Sequence, residues 1–169
     1  MKKMIFMTVL VLLPFLVSAE EAKFGYISSY DVMMAMPEIS KVEEHMADYN
    51  KKNQEYLQTL YTEIQAKATK YEEEKATLSE AMRKVREEEV QTMYERFQNA
   101  QASFQEDAQK EQATKLEPIR QKLQDAINVV GKRMGLMFVF DTSVGTPVLY
   151  KSEKAIDITS AVKKELGML

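Results

Sequence analysis

The chain has 169 residues but no cysteine, one histidine, five glycines and four prolines. Without cysteine there is neither a disulfide-stapled domain nor a lipid anchor on an N-terminal thiol. The only histidine, His45, has no cysteine or second histidine to join it, and tight transition-metal sites rarely use one imidazole. Beside Glu43 and Glu44 it reads as a solvated residue on a helix face. With no histidine placed among the serines and aspartates, no nucleophile–base pair can be assembled. Gly25, Gly131, Gly135, Gly145 and Gly167 are scattered, so no phosphate-cradling loop of the Walker or Rossmann kind is present. These absences point away from an enzyme, a metal site or a nucleotide cofactor.

Excess positive charge is also lacking. Lys2 and Lys3 precede an apolar run from Met4 to Val17, and Val17-Ser18-Ala19 offers the small residues where signal peptidase cuts. A core of about 14 residues is short of the ~20 that a spanning helix needs, so residues 1–19 are expected to be a cleaved export signal. The mature chain then has 169 − 19 = 150 residues, and 21 basic against 26 acidic side chains give −5. A general nucleic-acid binder needs a basic stripe instead. The runs Glu72-Glu73-Glu74 and Glu87-Glu88-Glu89 cannot converge on one cation, because successive helical residues point in different directions. With Lys75, Arg83, Lys84 and Arg86 they read as a charged, soluble tip. Export without cysteine fits a bacterial periplasm.

What the chain does have is a repeat. Leu57, Tyr61, Ile64, Ala68, Tyr71, Lys75, Leu78, Met82 and Val85 alternate by four and three, the spacing of a helix packed along one seam. Lys75, the only charged member, can pack its stem and snorkel its ammonium outward. Most of the chain is therefore expected to be rod, with no room for a buried active site.

Around the rod the pattern changes. Lys23 to Ser28 reads as a short strand, and Ser29 can cap a short helix from Tyr30 to Met36. Pro37 suits the first turn of the next helix, which continues to about Lys75. The connection falls at Ala76 to Ser79, where Thr77-Leu78-Ser79-Glu80 has the form of a capping box and Ser79 is a competing cap. A second long helix follows, with Val90, Met93, Phe97, Ala100, Phe104 and Ala108, then Leu116, Ile119, Leu123, Ile127, Val130 and Met134. Pro118 inside it predicts a kink, and Gly131 and Gly135 close it. Leu136 to Phe140 reads as a strand buried on both faces, Asp141 to Pro147 as a turn, and Val148-Leu149-Tyr150 as the returning strand of a hairpin. Asp157 or Thr159 can cap a last helix carrying Ile158, Ala161, Val162 and Leu166, stopped by Gly167.

The fold expected is mainly α: a long antiparallel helical hairpin, the arm (51–116), projecting from a small three-stranded β body (20–50 and 117–169). A body this small, with three strands, is marginal for an independent core. Sharing one core among several copies would solve this, through Phe24, Tyr26, Ile27, Phe138, Val139 and Phe140.

The strand, the Met36-Pro37-Glu38 helix start, the hairpin, Pro118-Ile119, the Phe138–Asp141 strand and Asp157-Ile158-Thr159 follow in an order that resembles the Skp/OmpH family of periplasmic chaperones. That resemblance implies a homotrimer in which a β body joins three helical tentacles around a cavity. The cavity holds unfolded outer-membrane proteins without nucleotide. Its best-known members are strongly basic, whereas Lys51 to Lys115 here holds 11 basic and 13 acidic residues.

Client capture would then fall to apolar side chains. Tyr49, Tyr56 and Leu60 lie close together beside the seam drawn through Leu57, Tyr61 and Ile64, and Tyr combines apolar area with a hydroxyl at low entropic cost. Met33, Met34, Met36 and Met46 read as core or as adaptable surface. Pro118 is the expected hinge. The partners expected are unfolded outer-membrane or other envelope proteins and further copies of the chain, with neither nucleic acid nor stable membrane insertion. The alternative is a structural or adaptor protein of the envelope that docks a permanent partner by its hairpin.

Overall fold

The computed structural model describes residues 22–143, 145 and 147–169; the expected signal segment, 1–19, lies outside them. The order is β1 (Phe24–Ile27), α1 (Ser29–Met34), α2 (Pro37–Glu74), α3 (Glu80–Arg133), β2 (Phe138–Asp141), β3 (Ile156–Asp157) and α4 (Thr159–Glu165). At 1.5 Å per residue, α2 is about 57 Å long and α3 about 81 Å.

Local chemistry sets the boundaries. Ser28, one residue before the expected cap, accepts from the Asp31 amide at 3.4 Å and starts α1. Pro37 occupies the first turn of α2. At the far end Ser79 is the cap: its hydroxyl accepts from the Met82 amide at 3.3 Å. Thr77 instead donates to the Glu74 carbonyl at 2.8 Å, and the capping box does not form around it. Arg83 Nε donates to the Leu78 carbonyl at 3.1 Å and fastens the turn. Beyond the end of α3 and its C-cap Met134 lies Gly135, whose φ of 62° suits a residue without a Cβ. The Leu136 amide then reaches back to the Gly131 carbonyl at 3.0 Å, a Schellman closure. Gly131 itself lies inside α3 and is buried.

Partners across the two long helices recede in step: Glu38 with Lys122, His45 with Glu111, Tyr56 with Phe104, Tyr61 with Phe97, Lys67 with Glu89, Tyr71 with Glu87. That order makes α2 and α3 an antiparallel hairpin. The covered stripe on α2 is Val42, Met46, Tyr49, Asn53, Leu57, Leu60, Ile64, Ala68 and Tyr71. Its eight steps over 29 residues follow about 3.6 per turn, the period of a straight helix, in place of the strict four-three alternation. Consequently Leu60 is 5% exposed and Tyr61 is 45% exposed. The repeat does not continue beyond the turn either, since Met82 and Val85 are exposed on the first turns of α3.

The sheet is entirely parallel, in the order β2-β1-β3. The expected hairpin is therefore wrong. Val148 to Tyr150 forms no strand; the third strand is Ile156–Asp157, laid beside Gly25 and Tyr26. Three consecutive apolar residues lack the alternation that one covered face selects. Ile156 has it, packing toward the core while Asp157 faces outward. Asp157 accepts from the Thr159 amide at 2.8 Å, which starts α4.

One face of the sheet meets the helices. Ile27, Val32, Met36, Ile39, Ile119, Leu123, Ala126, Val130, Ile158 and Val162 form the core, with Val139 and Ile156 packed against it. Gly25 sits here because a Cβ would come within 2.7 Å of Leu136 Cδ1 and 3.3 Å of Ile158 Cγ2. The other face is bare. Phe138 and Phe140 are 59% and 46% exposed, so β2 is not buried on both sides as the sequence predicted.

Candidate client-binding arm and assembly face

Among the described residues, exposed aromatic side chains gather on two surfaces: the flanks of the arm and the bare face of the sheet.

On the arm, Tyr56 packs edge-on against Phe104 with centroids 5.7 Å apart, and its hydroxyl accepts from Arg96 Nη2 at 3.0 Å. Tyr61 tilts over Phe97 at 6.2 Å. Five residues along a helix turn through about 140°, so these rings border the covered stripe on opposite sides. Of the three residues read as one client-facing band, Tyr56 is exposed, Tyr49 is half-buried beside His45, and Leu60 is enclosed between the helices. The seam runs through Leu60, not Tyr61, so Leu60 is corrected from wall to core. Sequence reasoning missed Tyr61, Phe97, Phe104 and Arg96 as members of these clusters. The seven-residue spacing of Phe97 and Phe104 was the only available signal, and it did not reveal which tyrosine each would meet.

Polar pairs hold the hairpin on either side of these rings. His45 Nε2 lies 2.8 Å from Glu111 Oε1, with Lys115 Nζ at 3.4 Å from the same oxygen. Hydrogen bonding to His45, chiefly, holds the Glu111 carboxyl below its usual range. His45 thus bridges two helices and is not merely solvated; its partner is 66 positions away. Toward the tip, Lys67 and Arg86 contact Glu89 at 2.5 and 2.9 Å, and the hydrogen bond from Lys67 leads in lowering the Glu89 carboxyl. Tyr71 donates to Glu87, a contact that pushes its phenol up to about 12. Pro118 lies exposed within an unbroken α3, and its missing N–H leaves the Thr114 carbonyl without that helical partner.

Of the methionines, Met36 is buried in the core and Met33 packs against it, while Met34 is 42% exposed and Met46 lies on the stripe.

On the sheet, Phe24 stacks on Phe138 at 6.3 Å with an interplanar angle of 11°, and Phe140 lies 6.2 Å from each. Lys151 Nζ sits 3.7 Å from the centre of the Tyr26 ring. A cavity of about 990 Å³ opens between this face and the segment 147–155. The six residues read as an assembly surface divide. Phe24, Tyr26, Phe138 and Phe140 belong to the bare face; Ile27, 1% exposed, and Val139 face the chain's own core. Period 2 along a half-covered sheet requires that division.

Comparison with known proteins agrees with this architecture. Residues 23–166 match the family model described as outer membrane protein (OmpH-like). The chain is 26% identical over 157 residues to Chaperone protein Skp of Photorhabdus laumondii, covering 92% of this chain and 93% of that one. It is 24% identical over 144 residues to Chaperone protein Skp of Pectobacterium atrosepticum, covering 85% of each chain. With the namesake from Yersinia enterocolitica it shares 25% identity over 149 residues and 88% of each chain. The chain, matched by the family model over nearly all of its described length, belongs to the OmpH-like family.

Proposed function

We propose that this protein is an ATP-independent holdase of the periplasm, exported by a cleaved signal, that binds unfolded outer-membrane proteins and keeps them from aggregating. The observation that carries the reading is the end-to-end match to proteins named Chaperone protein Skp. The arm supports it: its helices pair along one stripe yet leave tyrosine rings exposed on both flanks, at Tyr56 and Tyr61. In this reading three chains join through the bare sheet face, with Phe24, Tyr26, Phe138 and Phe140 in the shared core. The arms (51–116) then surround the client, and Pro118 lets each arm bend from the body.

The chemistry is multivalent. Many weak contacts from three arms act on one client, so effective concentration supplies affinity that no single ring has. Such contacts exchange readily and stop exposed client strands from pairing with one another. Because the mature chain carries net negative charge, apolar contact leads and electrostatic capture is secondary.

Dilution of a denatured outer-membrane β-barrel into buffer with and without the protein tests this. A holdase suppresses light scattering at about one trimer per client without nucleotide. Unchanged scattering would overturn the reading in favour of an adaptor that docks a permanent partner.

A further inference from the structure

Charge is spread unevenly along the arm. Residues 56–66 of α2 and 90–105 of α3 carry three charged side chains in 27 positions, Glu63, Glu95 and Arg96. The other 38 positions between Lys51 and Lys115 carry 21. The two stretches face each other, because Tyr56 meets Phe104 and Tyr61 meets Phe97. Together they make a belt around the middle of the arm, about 16 Å tall on α2 and about 24 Å on α3. Gln58, Thr59, Thr62, Gln98, Gln101 and Gln105 are exposed on it. A shallow groove of about 340 Å³ runs over Gln58, Thr59, Thr62, Glu63 and Ala66. On α3 the three glutamines fall to one side of the Phe97–Phe104 line, within about a third of a turn. Charged side chains are the ordinary cover of a helix face that meets only water. The belt replaces them with amides, hydroxyls and rings, which lose water at far lower cost than ions do.

We propose that this belt is the part of the arm that grips the client, and that its ligand is an extended, uncharged strand segment of an unfolded outer-membrane β-barrel. The belt's role rests on the holdase reading and adds to it the place and the chemistry of capture. Strands of such barrels alternate apolar with polar side chains and carry aromatic residues near their ends. An extended segment turns its apolar side chains to one side and leaves its backbone N–H and C=O groups along its edges. The rings at Tyr56, Tyr61, Phe97 and Phe104 take the apolar side. A glutamine amide both donates and accepts, so Gln98, Gln101 and Gln105 pair with client backbone whatever its sequence. At about 3.3 Å per residue, five to seven client residues fit the height of the belt. A client lysine or glutamate held there loses water and finds almost no opposite charge. Charged loops and turns of the client therefore stay outside, and selection falls on the strands, whose exposed edges would otherwise pair with one another.

The test places charge of either sign in the belt. Gln98→Glu with Gln105→Glu, and Gln98→Lys with Gln105→Lys, are compared with the same changes at Gln54 and Gln109, which are exposed on the arm outside the belt. Control and belt variants then have equal net charge, and circular dichroism checks that each stays helical. The probe is a dye-labelled, urea-denatured outer-membrane β-barrel, with the dissociation constant read by fluorescence anisotropy after dilution. Both belt pairs should weaken binding about tenfold or more, because either sign is stripped of water against the client. The control pairs should stay within about twofold, since exposed charges are screened. In addition, benzoylphenylalanine placed at Gln101 should photo-cross-link the barrel, and placed at Glu73 near the tip it should not. A wild type that binds no barrel would overturn the holdase reading and the belt with it. With binding by the wild type intact, three results would overturn the belt alone: tightening by one sign of charge, equal weakening by the controls, or cross-links from Glu73 and none from Gln101.

Discussion

Asp141, the last residue of β2, accepts a hydrogen bond from the Ser29 backbone amide, 112 positions earlier at the start of α1, at 3.1 Å. The Ser29 hydroxyl donates to its other oxygen, and the Ser143 amide and hydroxyl donate at 3.0 and 2.6 Å. One carboxylate thus ties the two ends of the body together on either side of the whole helical hairpin. Partial burial, the largest single influence, opposes its ionisation. The four donors together outweigh burial and hold the carboxyl below the ordinary 3.8.

Asp141→Asn should therefore cost about 1–3 kcal/mol at pH 7, because an amide cannot accept from all four donors. The folded carboxyl is depressed, so its contribution is complete above the unfolded value of 3.8 and is lost as pH falls through the folded one. Urea unfolding at pH 7 should separate mutant from wild type. At the lowest pH where both remain folded the gap should narrow.

Tyr71 is raised to about 12 by its contact with Glu87, so its share of hairpin stability is intact below pH 10 and lost as pH approaches 12. In ultraviolet titration the last phenolate to appear should vanish in Tyr71→Phe. An unchanged final step would show that Tyr71 does not hold Glu87 in solution.

Leu60 and Tyr56 should behave as opposites. Leu60→Ser empties a closed site in the seam and should cost roughly 2–5 kcal/mol, seen as earlier melting of the arm. Tyr56→Ser, at a partly exposed ring, loses the contacts with Phe104 and Arg96 but should lower melting less than Leu60→Ser, and it should weaken holding of an unfolded barrel. Raising salt from about 50 to 500 mM should alter that holding little, since exposed charges are already screened over about 10 Å at 0.1 M.

Pro118→Ala restores an N–H opposite the Thr114 carbonyl and removes a helix-interior proline worth about 3 kcal/mol of helix propensity. The arm should stiffen. Spin labels on paired cysteines in arm and body, diluted with unlabelled chains, should give a narrower distance distribution with the fold retained. Equal widths in wild type and mutant would remove the hinge role.

The sequence by itself determined the long elements. Pro37, Ser79 and Gly135 act within one turn of their own position, and an apolar period sustained over ten turns leaves little freedom about where a helix runs. It determined the family as well, because order and spacing along the chain are sequence properties. Only the tertiary structure decided which tyrosines stay exposed and which leucine lies in the seam. A drift from 3.5 to 3.6 residues per turn rotates the stripe by about 20° per heptad, and only contact with α3 fixes the phase. His45 found Glu111, and Asp141 found Ser29, because the hairpin folds back, and no local pattern encodes a partner 66 or 112 positions away. The sheet shows the same limit. A two-residue strand at Ile156 carries almost no periodicity of its own, so its place beside Gly25 is set by the core under Ile158 and Val162, not by the more apolar Val148-Leu149-Tyr150.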